Sequence, residues 1–307
     1  MFVLTGPTAA GKTSLSIDLA LAWGGEIISA DSMQVYRGMD IGTAKPSMDE
    51  RRGVPHHLID ILDPDEPYSV AEFQRLAGEA IQSIALRGLI PMVVGGTALY
   101  IRALVDDYYF PDAPADADLR ESLALQADRE GTAALHRMLG EMDPSSAARI
   151  HPNDLKRLIR AIEVCRVTGV RLSEFPRTGR PFSEAFMACL DIPREELYGR
   201  IDARVDEQIR RGLIEEVESL HRMGYDERFF SMNSLGYREI GDYLRGRATI
   251  EDAVRLIKRN TRRFSKRQLT WFRRDPRIIW IRAGHDRPKS CVLEDISRLA
   301  EGKWSPA

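Results

Sequence analysis

The residues with the clearest chemical meaning are residues 6–13, whose sequence Gly-Pro-Thr-Ala-Ala-Gly-Lys-Thr matches the pattern G-x-x-x-x-G-K-[ST]. An apolar run at residues 2–5 predicts a buried strand before them, and apolar residues at helical spacing begin at Leu15. In this order the glycines let backbone N–H groups surround an anion, Lys12 adds a full positive charge, and the Thr13 hydroxyl is placed to hold Mg²⁺. The alternative, an ordinary glycine-rich turn, is disfavoured by the strand and helix on either side. The loop predicts a bound polyphosphate without identifying it.

A second candidate group is the carboxylate of Asp31, directly after a predicted strand at residues 26–30. In a parallel sheet, ligands lie at the carboxyl ends of the strands, so Asp31 would face whatever the loop binds. Alternatively, Asp31 caps the turn or helix that follows, and its position does not decide between the two.

The predicted strand at residues 91–97 ends in Gly-Gly-Thr. A typical P-loop ATPase has an aspartate at such a strand end, which holds Mg²⁺ through water. Its absence argues against an NTP-hydrolysing motor, although Asp31 or Asp60 could substitute.

The elements that must position these residues include both strands and helices. Further strands are predicted at residues 187–192 and 278–281. Helices are predicted at residues 69–87, 117–130, 132–141, 144–149, 153–168, 194–223, 234–246 and 249–274. The four helices between 117 and 168 follow one another without a strand, which indicates an inserted subdomain.

These elements predict an α/β fold, with a P-loop NTPase-like core built on a parallel sheet and an inserted all-helical subdomain. We expect residues 1–110 to form the first part of the core and residues 111–183 the helical insertion, with an exit loop at 171–183. Residues 184–307 are expected to form the second part of the core, with basic C-terminal helices.

The charge distribution restricts where a nucleic acid could bind. The net charge is -2, so any such site must be a local patch. Residues 258–274 contain eight Lys and Arg and no acid. A run of this kind is usually a solvated helix face, but the lack of acids also suits a phosphate backbone, and both interpretations stay open.

Several classes of protein are disfavoured by composition. The three cysteines, Cys165, Cys189 and Cys291, lie far apart, which indicates neither a zinc site nor a disulfide framework. His56 and His57 are adjacent and would point to different faces of a strand, so they are a poor metal pair. The sequence has no secretory signal and no apolar run near the ~20 residues that span a bilayer. We therefore expect a cytoplasmic protein that does not engage a membrane.

Seven segments, taken in order, resemble the tRNA dimethylallyltransferases, also called tRNA isopentenyltransferases. Only the first is specific by itself, whereas seven in this order form a highly specific signal that covers nearly the whole chain. The segments are residues 6–13, 28–36, 38–46, 94–100, 151–154, 235–238 and 266–273.

The resemblance implies transfer of a dimethylallyl group from dimethylallyl diphosphate to N6 of adenosine 37 in tRNA, assisted by Mg²⁺. The phosphate loop would then hold the leaving diphosphate rather than ATP, which explains the missing aspartate. Asp31 resembles the base that accepts a proton from N6, and Arg204 and Thr97 are the other catalytic residues implied. The diphosphate-binding residues implied are Gly6, Thr8, Ala9, Ala10, Gly11, Lys12 and Thr13, of which Thr13 would also hold the metal.

The resemblance also implies partners: the anticodon stem-loop of a tRNA, and dimethylallyl diphosphate. The chain lacks the C-terminal zinc finger that eukaryotic members carry, so a bacterial type is expected, and a monomer. The tRNA-contacting residues implied are Asp31, Ser32, Met33, Gln34, Thr97, Arg120, Lys156, Arg157, Arg160, Asn233, Gly236, Tyr237, Arg238, Lys266, Arg267, Gln268 and Trp271.

Two other functions compete with this one. A small-molecule or nucleoside kinase also combines a P-loop core with a helical lid, and would consume ATP. A nucleotide-dependent RNA-binding switch would show RNA affinity that changes with ATP or GTP and form no covalent product. Neither explains Asp31 and the Gly-Gly-Thr strand end together.

Overall fold

The computed structural model describes residues 1–179 and 185–301. The chain divides into two compact units, residues 1–105 together with 185–301, and residues 106–179. The first division follows Val105 rather than residue 110, because Leu104 and Val105 are still buried in the first unit. Residues 183 and 184, the predicted boundary at the other end, lie outside the described residues, as does the end of the predicted exit loop. The three predicted domain ranges stay a prediction.

The first unit begins with alternating strands and helices. They are β1 (Phe2–Thr5), α1 (Lys12–Trp23), β2 (Gly25–Ser29), α2 (Met48–Arg51), β3 (His56–His57), α3 (Val70–Leu86), β4 (Ile90–Gly95) and α4 (Ala98–Val105). The two histidines thus lie on a short strand, as their adjacent placement assumed.

The second unit is helical, as predicted for this segment. It contains α5 (Ala117–Glu130), α6 (Thr132–Met142), α7 (Pro144–Ala147) and α8 (Leu155–Thr168), followed by a 3-10 turn at Leu172–Glu174. Its own core includes Leu123, Leu135, Leu139, Leu158 and Ile162, all nearly inaccessible to solvent. The unit therefore buries an apolar face of each long helix without a sheet.

The chain then returns to the first unit. The elements are β5 (Phe186–Asp191), α9 (Arg194–Arg210), α10 (Leu213–Arg222), a 3-10 turn at Ser231–Asn233, α11 (Tyr237–Leu244), α12 (Ile250–Phe272), β6 (Ile279–Arg282) and α13 (Lys289–Ala300). The single helix predicted over 194–223 is wrong. Gly212 has a φ of 98° and begins α10, because its left-handed backbone ends one helix and redirects the chain into the next.

The predicted parallel sheet is confirmed. Among the described residues it has six strands in the order β3-β2-β4-β1-β5-β6, and every pairing is parallel. The central strands are buried on both faces, as continuous apolar runs in parallel sheets are. One core contains Leu15 and Ile17 of α1, and the other contains Phe73 of α3 and Ile101 of α4. The carboxyl ends of β1, β2 and β4 are consequently adjacent.

The edge of the sheet contains a buried ion-pair cluster. Glu26 of β2 is 5 % exposed and accepts hydrogen bonds from Arg87 at 2.5 and 2.7 Å, and its carboxylate lies 2.7 Å from His57 Nε2. The hydrogen bonds from Arg87 are the largest cause that lowers the pKa of Glu26, to about 2, against the opposing effect of burial. The cluster fastens α3 and β3 to β2.

We expect Glu26→Gln to lower the free energy of unfolding by about 2 kcal/mol at pH 7, because buried hydrogen bonds to a charged group are lost. Since folding depresses this pKa, the contribution is complete above the unfolded value and is lost as the pH falls toward 2. Urea unfolding at pH 7 and at several lower pH values measures the difference. Glu79→Gln, at an exposed position, is the control. A difference that does not shrink below pH 4.5 would contradict this explanation.

No helix of the described residues is both long enough and apolar enough to cross a bilayer.

Candidate active site

A cavity of about 650 Å³ lies in the first unit, where the carboxyl ends of β1, β2 and β4 meet. This edge of a parallel sheet is where ligands bind in α/β folds. Its walls come from the phosphate loop, the segments after β2 and β4, the loop at residues 42–46, α9, residues 230–238 and the inner side of α12. Groups predicted from distant parts of the sequence therefore share one enclosure.

The phosphate loop has the backbone of an anion cradle. Gly11 is left-handed, with a φ of 87°, and no side chain of the described residues caps the α1 helix that begins after it. The first N–H groups of α1 therefore have no intrahelical partner and are available to an anion, with the positive end of the helix dipole behind them. Ala9 also has a positive φ, 63°, a strained backbone for a residue with a Cβ. Thr8 and Thr13 both line the cavity.

Two cations face the cradle. Lys12 Nζ donates to the carbonyl oxygens of Gly6 at 3.0 Å and Pro7 at 2.8 Å. Burial, followed by repulsion from Arg204, lowers the Lys12 pKa to about 8, although Asp31 opposes the shift. Burial also lowers the pKa of Arg204, which forms no hydrogen bond or ion pair with any residue in the described ranges. Lys12 and Arg204 therefore place two positive charges beside the phosphate loop, and these charges favour the binding of a multiply charged anion.

Asp31, which follows β2, both caps a turn and lines the cavity. Its Oδ1 accepts from the backbone N–H of Met33 at 2.9 Å, which caps the turn, and its side chain also lines the cavity. The Thr97 hydroxyl accepts from the N–H of Ser32 at 3.3 Å, so the two strand ends are joined. The two interpretations of Asp31 are therefore not exclusive.

Gln34 and Met33 complete this turn. The Oε1 of Gln34 accepts from the Ser29 hydroxyl at 2.9 Å, and its Nε2 lies 3.4 Å from the Thr43 carbonyl oxygen. Met33 and Gln34 both line the cavity. The Gln34 amide connects the end of β2 to the loop at residues 42–46.

Glu216 and Gln208 bind the backbone of residues 40–42, where that loop begins. Sequence reasoning missed both residues. The Glu216 carboxylate accepts from the N–H groups of Asp40, Ile41 and Gly42 at 3.0, 2.7 and 3.2 Å. Gln208 Nε2 donates to the carbonyl oxygens of Ile41 and Gly42 at 2.7 and 3.0 Å. Both residues look like ordinary polar positions of amphipathic helices, so no pattern in the sequence could have identified them.

The predicted tRNA contacts at 233–238 differ in accessibility. Tyr237 is 1 % exposed, and its hydroxyl donates to Glu216 at 2.6 Å. Its ring leaves space only for glycine at position 42, where a Cβ would lie 2.3 Å away. Gly236 is likewise buried, whereas Asn233 and Arg238 are exposed. In this conformation Tyr237 supports the loop, and Asn233 and Arg238 are the members of this group open to an RNA.

Within the described residues, the basic helix α12 contains both paired and unpaired cations. Lys258 and Arg262 pair with Asp206 and Asp202 of α9 at 2.6 Å. The cations on its exposed side form no ion pair with any described residue. They are Arg259, Arg263, Lys266 and Arg267.

The other predicted residues of α12 point inward or are half-buried. Gln268 is 5 % exposed and both ends of its amide are bonded within the protein. Trp271 is partly buried, with the Arg102 guanidinium 5.9 Å from its ring centroid. Lys266 and Arg267 are therefore the residues of this predicted group that present free charge to solvent.

The remaining predicted tRNA contacts lie in the second unit. Arg120 and Arg160 donate to the buried Glu163, Arg120 at 2.7 and 2.9 Å and Arg160 at 2.6 Å. Although burial opposes the shift, these hydrogen bonds hold the Glu163 pKa at about 2. Lys156 and Arg157 are exposed at the start of α8. Arg120 and Arg160 thus have a structural role within the unit and still expose part of each side chain.

The described residues contain no cluster of three or more His, Cys, Asp and Glu side chains suited to holding a metal. The cavity does offer the Thr13 hydroxyl, an oxygen donor at the start of α1 beside the phosphate loop. A site of this kind fits Mg²⁺, which usually keeps several waters and binds through few protein oxygens together with substrate phosphates.

Comparisons with known proteins identify relatives over nearly the whole chain. The family model "IPP transferase" matches residues 34–275, and the model "Isopentenyl transferase" matches residues 1–61. A tRNA dimethylallyltransferase of Desulforudis audaxviator is 55 % identical over 92 % of this chain and 91 % of its own length. One of Symbiobacterium thermophilum is 51 % identical over 99 % of this chain and 96 % of its own.

Solved structures extend the likeness to the fold. The tRNA isopentenylpyrophosphate transferase of Bacillus halodurans is 44 % identical, with a TM-score of 0.75 over 98 % of this chain and 95 % of its own. A eukaryotic dimethylallyltransferase acting on tRNA is 28 % identical, with a TM-score of 0.83 over 97 % of this chain and 77 % of its own.

Proposed function

The chain belongs to the IPP transferase family, and from this premise we propose that it transfers a dimethylallyl group from dimethylallyl diphosphate to N6 of adenosine 37 in tRNA. The observation that carries the proposal is one cavity in which an anion cradle with Lys12 and Arg204 faces the Asp31 carboxylate. An enzyme that transfers an allyl group from a diphosphate to a weakly nucleophilic amine needs both the anion cradle and the carboxylate.

The diphosphate side stabilises the leaving group. As the bond between C1 of the dimethylallyl group and the diphosphate oxygen breaks, negative charge grows on the diphosphate. The N–H groups at the start of α1, Lys12 and Arg204 are donors already in position, so little reorganisation is needed. Mg²⁺ held at Thr13 would neutralise part of the same charge when bound.

The carboxylate side activates the nucleophile. The N6 lone pair of adenine is delocalised into the ring, which makes it a poor nucleophile. As the new bond from N6 to C1 forms, Asp31 accepts the N6 proton and so acts as a general base. Its other contact, to the N–H of Met33, fixes the orientation of the carboxylate in the cavity wall. Thr97 holds the same turn through Ser32.

The RNA must deliver an unstacked base to this cavity. We propose that tRNA docks on the exposed cations of α12 together with Asn233 and Arg238, and that the chain acts as a monomer. Lys156, Arg157 and the exposed parts of Arg120 and Arg160 are further proposed contacts.

The test is to incubate the protein with tRNA, Mg²⁺ and dimethylallyl diphosphate and to digest the RNA for mass spectrometry. We expect an adenosine whose mass has increased by a dimethylallyl group. A parallel incubation with ATP and small alcohols tests the kinase alternative. ATP turnover without an RNA adduct would reject the proposed function, and so would RNA binding that depends on ATP or GTP without any product.

We further expect tRNA affinity to fall with rising salt, and Arg263→Gln or Arg267→Gln to flatten that dependence. Each phosphate contact contributes about -0.9 to the log–log slope for duplex, or about -0.7 for a single strand. Filter binding at several salt concentrations gives the slopes, and Arg255→Gln, whose side chain pairs with Asp252 on the same helix, is the control. Slopes unchanged by both substitutions would show that this helix does not contact the RNA backbone.

A further inference from the structure

Gln268 connects three parts of the proposed active site. Its Oε1 accepts from the backbone N–H of Thr8 in the phosphate loop at 3.0 Å. Its Nε2 donates to the carbonyl oxygen of Gly96, at the end of β4, at 2.8 Å. The side chain itself comes from α12, and the residue is 5 % exposed. One planar amide therefore fixes the separation of two backbone segments that no strand pairing joins beyond Thr5 and Gly95.

The Gly96 side of this bridge leads to the proposed base. Thr97, the next residue, donates its N–H to the Ala30 carbonyl oxygen at 3.2 Å, and its hydroxyl accepts from Ser32. Asp31 lies between these two bonded residues. Hydrogen bonds and the Gly96–Thr97 peptide bond thus connect the phosphate loop to the turn that holds the Asp31 carboxylate.

The surroundings of the amide leave it little freedom. A Cβ at position 96 would lie 2.3 Å from Gln268 Nε2, so the bond requires glycine there. Each end of the amide has one backbone partner within the described residues, and the residue also lines the cavity. These two bonds give Gln268 a role inside the protein, beside the tRNA contact that the family resemblance implied for it.

We propose that Gln268 is a positioning residue, whose amide sets the distance between the phosphate loop and the turn that carries Asp31. This inference rests on the proposed function. In transfer to N6, the phosphate loop holds the leaving diphosphate and Asp31 holds N6. The distance between the loop and the Asp31 turn therefore determines how closely N6 approaches C1. A misplacement of about 1 Å can cost ~10²-fold in rate, even when both substrates still bind.

The test variant is Gln268→Met, which keeps the length and shape of the side chain and removes both hydrogen bonds. We expect its single-turnover transfer rate to fall ~10- to 100-fold, with tRNA dissociation constants within about twofold of wild type. Gln126→Met, on α5, is the matched control and should retain the wild-type rate, because within residues 1–179 and 185–301 that glutamine bonds only to Glu130 on its own helix. Circular dichroism and thermal unfolding establish that the variants are folded.

A second variant breaks the same bond from the other side. Gly96→Ala displaces the Gln268 amide without altering Gln268, and it should lower the transfer rate while tRNA affinity is retained. The positioning role is overturned if either folded variant transfers at the wild-type rate, or if tRNA affinity falls as steeply as the rate, which would place Gln268 in the RNA interface. If the wild-type protein forms no prenylated adenosine, the proposed function itself fails, and that result is distinct from either of these.

Discussion

Lys12→Ala is expected to abolish dimethylallyl transfer while tRNA affinity stays within about twofold of wild type. The Lys12 ammonium lies in the phosphate loop and faces the cavity, so its loss removes a full positive charge from the leaving diphosphate. Removing one preorganised donor to a developing anion typically costs ~10²–10³ in rate, and a buried charge contributes more than a neutral donor. Single-turnover assays with saturating tRNA measure the chemical step, and filter binding measures the RNA affinity.

Lys289→Ala is the control for charge removal, because Lys289 pairs with Asp18 of α1 and does not line the cavity. A Lys12→Ala variant that loses tRNA affinity as steeply as transfer would count against a diphosphate-binding role. The same role predicts a pH effect. Since burial lowers the Lys12 pKa to about 8 in the free protein, dimethylallyl diphosphate should bind progressively more weakly as the pH rises above 8.

Asp31→Asn is expected to fold and bind both substrates but to lose ~10²–10⁴ of its single-turnover rate, the usual contribution of a positioned general base. Asparagine has nearly the same size, and its amide oxygen can still accept from the N–H of Met33, so the turn should persist. What disappears is the ability to accept the N6 proton.

Because the structure shows that Asp31 does cap its turn, this substitution separates the two roles. If capping were the whole role, asparagine would serve about as well and the rate would stay near wild type. Asp63→Asn, at an exposed carboxylate that pairs with Arg37, provides the control for charge alone. A full-rate Asp31→Asn enzyme would reject the base role and indicate water or another group as the proton acceptor.

The sequence predicts those parts of the site that depend on local geometry. The phosphate loop follows from glycines, Lys12 and Thr13 at fixed spacing, and the placement of Asp31 follows from the rule that parallel strands end at one edge. The parallel sheet follows from strands that are apolar at consecutive positions, a pattern typical of strands buried on both faces. Each of these is a short-range pattern or a topological rule.

The features that sequence reasoning missed depend on long-range packing. Glu216 meets the backbone of residues 40–42 only in the folded chain, and nothing in α10 marks it. Tyr237 and Gln268 lie in segments that resemble RNA-contacting ones, and their hydrogen bonds to Glu216, Thr8 and Gly96 form only in the folded chain. The helix break at Gly212 was missed because the apolar spacing continues across it. One left-handed residue is enough to end a helix without disturbing that spacing.

In the proposed reaction, one cavity couples release of diphosphate to prenylation of adenosine. Counting the diphosphate released and the prenylated adenosine formed in the same reaction measures this coupling, for wild type and for Asp31→Asn and Lys12→Ala. We expect one diphosphate per modified adenosine in the wild-type reaction, and a parallel loss of both products in each variant. Diphosphate released without a modified adenosine in the presence of tRNA, or an adenosine modified without release of diphosphate, would contradict it.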